Sequence, residues 1–418
     1  MQEILKDEKK RQKLVIYINP PYVEASTGTT PSGTGKNKAL VARGNAISEK
    51  YKMVLGKANN ELFAQFFIRI YTEMSGCILG AFSTLKYINS QNFIKFRETF
   101  KAQFLGGFIT PADTFDNVDG KFPIGFLVWD TQYKQTIQDV NLDIFDKNNH
   151  YMGKKIFYAN QDSNNSLNKW WLGYKDETNF CLGYMSSYPA DFQNNSKFAI
   201  LSKPQARYCL KITAGNIKEF FIYLAIRHAI PATWINDRDQ FYAPNDLWEE
   251  DKEFQSDCLA FTLFHGQNKI SSQNGTNHFI PFTESEIGAK GAFESNFMTR
   301  FMCGKVKLDT SSDSLFGSKG MSEKLEFSTE AQAVFDAGRE IFAYYHAQDF
   351  STKPYNVNAS LYDIKEFFQG RNAQGKMNLP SKAKDSHYKT LIATLTESIN
   401  ALAKKLEPKI YEYGFLKE

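Results

Sequence analysis

The sequence LVIYINPPY, residues 14–22, decides which fold this chain can adopt. Its first five residues are apolar and mostly β-branched, which predicts a buried strand, and Asn19 with two prolines ends that strand abruptly. Each proline fixes φ and lacks an N–H, so the carbonyls of Asn19 and Pro20 should be rigid and face outward. They would lie at the carboxyl end of a strand, where open α/β sheets bind ligands. An amide oxygen, a stiff carbonyl and the ring of Tyr22 suit a planar group that carries an NH2.

The residues after this strand alternate between helical and strand patterns. Apolar residues recur at helical spacing from Leu62 to Met74, and residues 77–82 form a short apolar run after Gly76. A second aromatic helix is predicted around Phe93 and Phe96, followed by strands at 104–110 and 122–129. This order predicts an α/β fold with a parallel crossover and then a hairpin.

Three regions are predicted along the chain. Residues 1–135 form an α/β domain, and residues 136–325, rich in Asn, Tyr and Trp, form a mixed α+β region. Residues 326–418 carry helical periodicity to the end of the sequence and form a helical C-terminal region.

Bulk composition excludes several classes of protein. The 418 residues carry a formal net charge of only +4, so nucleic-acid binding would need a local basic face. One candidate is the set Lys197, Lys203, Arg207, Lys211 and Lys218, although an ordinary solvated surface accounts for it equally well.

Cysteine and histidine placement argues against a disulfide framework and against a metal site. The five cysteines are scattered without a Cys-x-x-Cys pair, and the six histidines have no close metal-ligand spacing. The sequence also has no apolar signal core near Met1 and no apolar run long enough to span a membrane. We therefore expect a cytoplasmic protein without a metal.

A Gly/Ser/Thr-rich segment, residues 24–36, follows the strand and ends in GTGK. It fails as a phosphate-binding loop because Asn37 replaces the Ser or Thr that binds magnesium and Thr30 replaces the first glycine. A flexible flap over a substrate cleft is the better prediction.

The NPPY motif and the order of elements resemble the amino-methyltransferases of DNA. The resemblance is closest to adenine-specific methylases of restriction–modification systems, in particular the Eco57I-like group. Further stretches that carry it are ELFAQFFIRI at 61–70, KFPIGFLVW at 121–129 and FHGQN at 264–268. The resemblance implies that residues 1–135 are a partial catalytic domain, the C-terminal half of an S-adenosylmethionine-dependent methyltransferase sheet. It implies that residues 136–325 are a target-recognition region that binds double-stranded DNA.

The family implies that the target adenine is flipped out of the duplex into a pocket. By the match, the side-chain oxygen of Asn19 and the carbonyl of Pro20 would accept hydrogen bonds from the exocyclic amine. Pro21 would hold the turn, and Tyr22 would stack on the flipped ring. Phe122 is a second candidate for stacking, although a role in the core explains it at least as well.

The chain departs from the family where the cofactor should bind. The S-adenosylmethionine site is formed mainly before the NPPY strand, but only eighteen residues precede Asn19, so the cofactor-binding residues are unknown. We expect the NPPY strand to be an exposed sheet edge and the chain to transfer little or no methyl group alone. A separate chain that carries the N-terminal half, or a truncated reading frame, would explain this.

Two alternatives remain open. One is a non-catalytic DNA-recognition module or subunit of a restriction–modification system. The other keeps the motif but changes the substrate to a protein glutamine or a ribosomal guanine. Those enzymes usually stop soon after the last strand, whereas nearly 290 residues follow Trp129, which favours duplex DNA as the target.

Overall fold

The computed structural model describes most of the chain. The residues outside the described part are 1, 2, 4, 5, 23–43, 117, 119, 121, 163, 187, 202, 205–208, 267, 269, 273, 274 and 309–319. The segment 24–36, predicted to be a flap, therefore lies outside the described residues, as does Arg207.

A six-stranded mixed sheet organises the first 160 residues. Its strands are β1 (Val15–Ile18), β2 (Ile78–Thr84), β3 (Ala102–Pro111), β4 (Pro123–Lys134), β5 (Asp139–Phe145) and β6 (Tyr151–Tyr158). The helices between them are α1 (Glu8–Arg11), α2 (Ala46–Leu55), α3 (Leu62–Glu73), α4 (Lys86–Asn89) and α5 (Ile94–Thr99). The sheet and these helices confirm the α/β class that the sequence predicts.

The spatial order of the strands is β1-β2-β4-β3-β5-β6, so β1 is an edge strand. The prediction that this strand is buried is wrong, because Val15 and Tyr17 are 67% and 70% exposed at the edge. Strands β1 and β2 run parallel, with Ile18 opposite Ala81. Strands β3 and β4 are antiparallel, as the predicted hairpin requires, but β4 lies between β2 and β3 and pairs with both. Because β4 runs antiparallel to β2, its first residues lie beside the carboxyl ends of β1 and β2. We call this end of the strands the carboxyl edge of the sheet.

Apolar side chains from helices α2, α3 and α5 cover one face of this sheet. Phe63, Phe67 and Phe96 are fully buried there with Leu127 and Trp129 of β4. The indole N–H of Trp129 donates to the hydroxyl of buried Tyr87 at 3.2 Å. This face holds the first hydrophobic core.

A second region begins at α6 (Leu167–Leu172) and contains a three-stranded antiparallel sheet. Its strands are β7 (Gly183–Ser186), β8 (Ile200–Leu201) and β9 (Cys209–Ile212). The helices that follow are α7 (Ile217–Ala229), α8 (Lys252–Phe264), α9 (Phe297–Met302), α10 (Thr329–His346), α11 (Leu361–Gln369) and α12 (Ser386–Glu412).

One large apolar cluster holds this second region together. It runs from Leu167 to Leu416 and includes buried residues of α7, α8, α10, α11 and α12. Helix α7 is buried on nearly all sides, because it passes through the centre of this cluster. The domain boundaries near 135 and 325 stay predictions.

Candidate functional site

The motif Asn19–Tyr22 follows β1 directly and lies at the carboxyl edge of the sheet. Pro20 is buried, Asn19 and Pro21 are exposed, and Tyr22 is half-buried. Pro20 is therefore packed against the protein, while Asn19 is accessible to solvent. The motif follows β1 as the sequence predicts, and the rigidity of its backbone stays a prediction.

A hydrogen bond joins the first and last residues of the motif. The hydroxyl of Tyr22 donates to Oδ1 of Asn19 at 2.5 Å. Burial, and to a lesser degree the neighbouring Tyr17, raises the pKa of Tyr22 to about 12, so the hydroxyl keeps its proton at neutral pH. An amide oxygen has two lone pairs, so Asn19 retains acceptor capacity for a second donor.

Phe122 precedes β4 and lies at the same edge of the sheet, because β4 runs antiparallel to β2. The guanidinium of Arg238 lies over its ring, 5.5 Å from the centroid. In the described residues its ring makes no contact with that of Tyr22. The structure thus brings Asn19 and Tyr22 together, while Phe122 contacts a residue of the second region.

A polar cleft of about 890 Å³ opens between the two regions. One wall is formed by residues just before α3 and by residues in and just after α4. The other wall is formed by residues around α6, β9 and Arg238. Five basic and two acidic side chains line it: Lys57, Lys86, Lys169, Lys175, Arg238, Glu61 and Asp191. Eight amide side chains join them: Asn60, Asn89, Gln91, Asn92, Asn168, Gln193, Asn194 and Gln240.

Most of the charged side chains in the cleft already have partners, and two exposed lysines have none among the described residues. Lys86 forms an ion pair with buried Glu61 at 2.6 Å, and burial raises the pKa of the Asp191 carboxyl. Lys57 and Lys169 are exposed and form no ion pair within the described part of the chain. Because Arg238 also pairs with Asp237 at 3.1 Å and Lys175 with Glu177 at 3.0 Å, the unpaired positive charge of the cleft comes from Lys57 and Lys169.

Asn89, one of the residues that line the cleft, carries a buried acceptor without a hydrogen-bond partner among the described residues. Its side-chain N–H donates to the carbonyl of Arg238 at 2.8 Å, which ties the two regions together. Its Oδ1 is buried and has no hydrogen-bond partner among the described residues. Buried polar atoms of this kind are normally satisfied by water or a ligand.

Two buried arginines support the cleft walls, and the sequence analysis missed both. Arg97 donates to the carbonyls of Tyr87 and Ser90, each at 3.0 Å. Arg227 donates to the carbonyls of Pro189 and Asp191, at 3.0 and 2.9 Å. The available signal was an arginine inside an otherwise apolar helical pattern, since such a side chain must find acceptors when it is buried.

The predicted basic surface of the second region is mostly engaged in local contacts. Lys197 donates to Asn194 at 2.7 Å, and Lys211 donates to the carbonyl of Glu177 at 3.1 Å. Lys218 pairs with Glu323 at 3.5 Å, and Lys203 is exposed. The cleft, rather than this set, is the part of the described surface where basic side chains and amides converge.

The described residues do not fit a site for S-adenosylmethionine. In this part of the chain, none of the strands β2 to β6 leads through a glycine-rich turn into a helix. Strand β1 is the sheet edge, so no described strand lies beyond it to carry an acidic residue.

The described residues likewise contain no group of three His, Cys, Asp or Glu side chains that could hold a metal ion. Among them, none of the helices combines the length and the apolar character that crossing a membrane requires.

A scan against protein-family models finds no match to this chain, and a search of curated proteins also finds none.

Proposed function

We propose that this chain is the base-holding portion of an adenine-specific DNA methyltransferase of a restriction–modification system. The observation that carries this proposal is the position of Asn19–Tyr22, a proline-fixed corner at the carboxyl edge of an α/β sheet. None of Asn19–Tyr22 or Phe122 lines the cleft between the two regions, but Arg238 of the cleft lies over the ring of Phe122, so a polyanion bound in the cleft would have to extend past Phe122 to reach this corner.

The chemistry proposed for the corner is positioning of an amine. The Asn19 oxygen and the Pro20 carbonyl would accept the two N–H groups of the adenine amine and turn its lone pair toward the methyl donor. Tyr22 would stack on the flipped base, an interaction worth about 1–3 kcal/mol. The Tyr22 hydroxyl already donates to the Asn19 oxygen. When a base enters, either the Tyr22 ring rotates away or that oxygen accepts from both the hydroxyl and the amine.

The cofactor S-adenosylmethionine would supply the methyl group, but the described residues do not provide its site. We therefore propose that a second chain, carrying an N-terminal half, completes the enzyme. The edge position of β1 and the parallel β1–β2 pair support this proposal, because another strand can be added there without disturbing the sheet.

Double-stranded DNA is the proposed substrate of the cleft. Basic side chains bind phosphates regardless of sequence, while amide side chains are common readers of base edges. Asn168 and Asn194 use both ends of their amides within the chain, whereas Gln91 and Asn92 form no side-chain hydrogen bond among the described residues and are the proposed readers. Phe122 remains a proposed stacking residue, with Arg238 over its ring as a competing contact.

A non-catalytic DNA-recognition module is the second candidate. It is favoured by the hydrogen bond that occupies Asn19 and by the lack of cofactor residues in the described part of the chain. Such a module would bind DNA through the same cleft but would show no dependence on Asn19.

Methyl transfer to unmethylated genomic DNA tests the proposal, because such DNA contains every short recognition site. The chain would be mixed with S-adenosylmethionine, with and without an N-terminal half, and N6-methyladenine would be measured by mass spectrometry. We expect product only in the complete mixture, and loss of product with Asn19→Ala but not with Asn148→Ala, an exposed asparagine in the β5–β6 turn. Equal activity of the two variants would refute the assigned site.

A further inference from the structure

A short turn after β2 presents two free side-chain amides to the cleft. Strand β2 ends at Thr84, and the chain continues through α4 into a short 3₁₀ helix, Gln91–Phe93. Gln91 is half-buried and Asn92 is exposed, and both line the cleft. Neither side chain forms a hydrogen bond with another described residue. We call residues 89–92 the amide turn.

Buried contacts hold the amide turn in place. The ring of Phe93 is 1% exposed and stacks on that of Phe63, with 5.6 Å between the centroids. The guanidinium of Arg97 donates to the carbonyl of Ser90 at 3.0 Å, and Oγ of Ser90 accepts from the backbone N–H of Asn92 at 3.3 Å. The backbone that carries the two free amides is therefore fixed before a ligand arrives, which lowers the entropy lost on binding.

Arg97 shows that this fixation is energetically unfavourable in itself. Its side chain is 1% exposed, and among the described residues no carboxylate forms an ion pair with it. Burial consequently lowers the pKa of Arg97 to about 10. A buried charge without a counterion destabilises a protein, and an ordinary surface turn does not need one. A function that depends on the exact position of the amide turn accounts for it.

Asn89 connects the amide turn to the opposite wall of the cleft. Its Nδ2 donates to the carbonyl of Arg238 at 2.8 Å, and this bond determines which end of the amide is the oxygen. Asn89 is 3% exposed, and its Oδ1 is the end without a partner among the described residues. The cleft thus lacks a donor at this oxygen, which a bound ligand or a water that the ligand orders can supply.

The chemistry of the two free amides matches adenine. A side-chain amide offers a donor and an acceptor side by side, and the major-groove edge of adenine offers an acceptor, N7, beside a donor, the N6 amine. Guanine presents two acceptors there and cytosine presents a donor, so neither forms the same pair of bonds. Gln91 and Asn92 are successive residues of a 3₁₀ helix, which turns them about 120° apart, so they contact different bases.

The path of the chain limits how far these bases lie from the NPPY motif. Ile18 lies opposite Ala81 in the parallel pair of β1 and β2, and α4 takes up four of the residues between Thr84 and Gln91. With the usual rise per residue of strands and helices, the Cα atoms of Asn19 and Gln91 are at most about 37 Å apart. This distance is about one turn of B-DNA.

We propose that Gln91 and Asn92 each recognise the major-groove edge of one adenine, within about one duplex turn of the adenine that is methylated. Lys57 and Lys169, on the two walls of the cleft, bind the phosphates that flank these bases. This inference rests on the proposed function, because it requires duplex DNA in the cleft.

The test is selection from a pool of short duplexes with a random central segment, followed by sequencing of the bound fraction. The full chain is compared with Gln91→Ala, with Asn92→Ala and with Gln91→Glu. The control combines Asn148→Ala with Gln374→Ala, two exposed amides outside the cleft lining. Circular dichroism establishes that every variant folds.

We expect the unmodified chain to prefer adenine at two positions by at least about fivefold. Each alanine variant should lose one of these preferences, and the control should keep both. Gln91→Glu should replace adenine by cytosine at its position, because a carboxylate accepts from the N4 amine of cytosine. A residue that only supports the fold would not cause this exchange.

Three results would overturn the proposal. The first is that the chain selects no adenine. The second is that either alanine variant selects the same sequences as the unmodified chain, or that the control loses a preference. The third is that Gln91→Glu still selects adenine at both positions.

The two proposals can fail separately. Selection of the two adenines by a chain that transfers no methyl group, even in the complete mixture, counts against the proposed methyl transfer alone. Methyl transfer at sites that remain the same in both alanine variants counts against the role of the amide turn alone.

Discussion

Replacing Lys57, Lys169 and Lys175 by glutamine should weaken DNA binding and reduce its dependence on salt. All three side chains are exposed and line the cleft. Lys175 contacts Glu177 at 3.0 Å, but both side chains are about 60% exposed, so this ion pair contributes little and can be exchanged for a phosphate. The substitutions should therefore remove charge without disturbing a buried contact.

The expected magnitude follows from counterion release. Each phosphate neutralised on a duplex contributes about 0.9 to the slope of log affinity against log salt, so three lysines contribute about 2.7. A rise from about 50 to about 200 mM salt should thus cost the unmodified chain roughly 40-fold more affinity than the triple variant.

Fluorescence anisotropy with a short labelled duplex of random sequence measures both affinities across this salt range. The control is Lys382→Gln with Lys384→Gln and Lys389→Gln, three exposed lysines outside the cleft lining. An unchanged slope in the cleft variant, or an equal decrease in the control, would refute the assignment of the cleft to DNA.

Three further predictions concern stability, measured by urea denaturation. Tyr22→Phe removes the donor to Asn19 but keeps the ring, so it should cost about 1 kcal/mol or less; a loss above about 2 kcal/mol would mean that the hydroxyl has another role. Burial lowers the pKa of His228 from 6.5 to about 4, so the unfolded chain binds more protons between these values and stability falls as the pH decreases. His228→Gln should reduce this loss of stability at low pH by up to about 3 kcal/mol. Identical profiles of stability against pH for the two proteins would contradict the lowered pKa of His228. Gly338→Ala would place a methyl group 2.1 Å from the ring of Phe264, so it should destabilise by about 1–3 kcal/mol although alanine favours helices; a gain in stability would show that the ring can move.

Local sequence was sufficient to place most elements of the fold. The apolar run before Asn19 predicted β1, the aromatic stripe after Leu62 predicted α3, and the helical pattern at residues 361–369 gave α11 with its observed bounds. These predictions succeed because hydrophobic periodicity and the fixed φ of proline determine structure over only a few residues. The end of β1 directly before Asn19 and Pro20 was predictable for the same reason.

The cleft depended on contacts that the sequence pattern could not reveal. Asn89 meets Arg238 across the two regions, and the acceptors of Arg227 come from a loop more than thirty residues away in sequence. In the sequence, a buried arginine is visible only as a charged residue within a helical pattern. Its hydrogen-bond partners are determined by the packing of segments far away in the chain.

The sequence by itself determined the motif after β1, the α/β class and the positions of the principal helices. Tertiary structure decided that β4 lies between β2 and β3 and that β5 and β6 extend the same sheet. The order of the strands and the face on which each side chain lies depend on pairing between segments far apart in the chain. That pairing is stabilised by the burial of side chains, which requires several segments together.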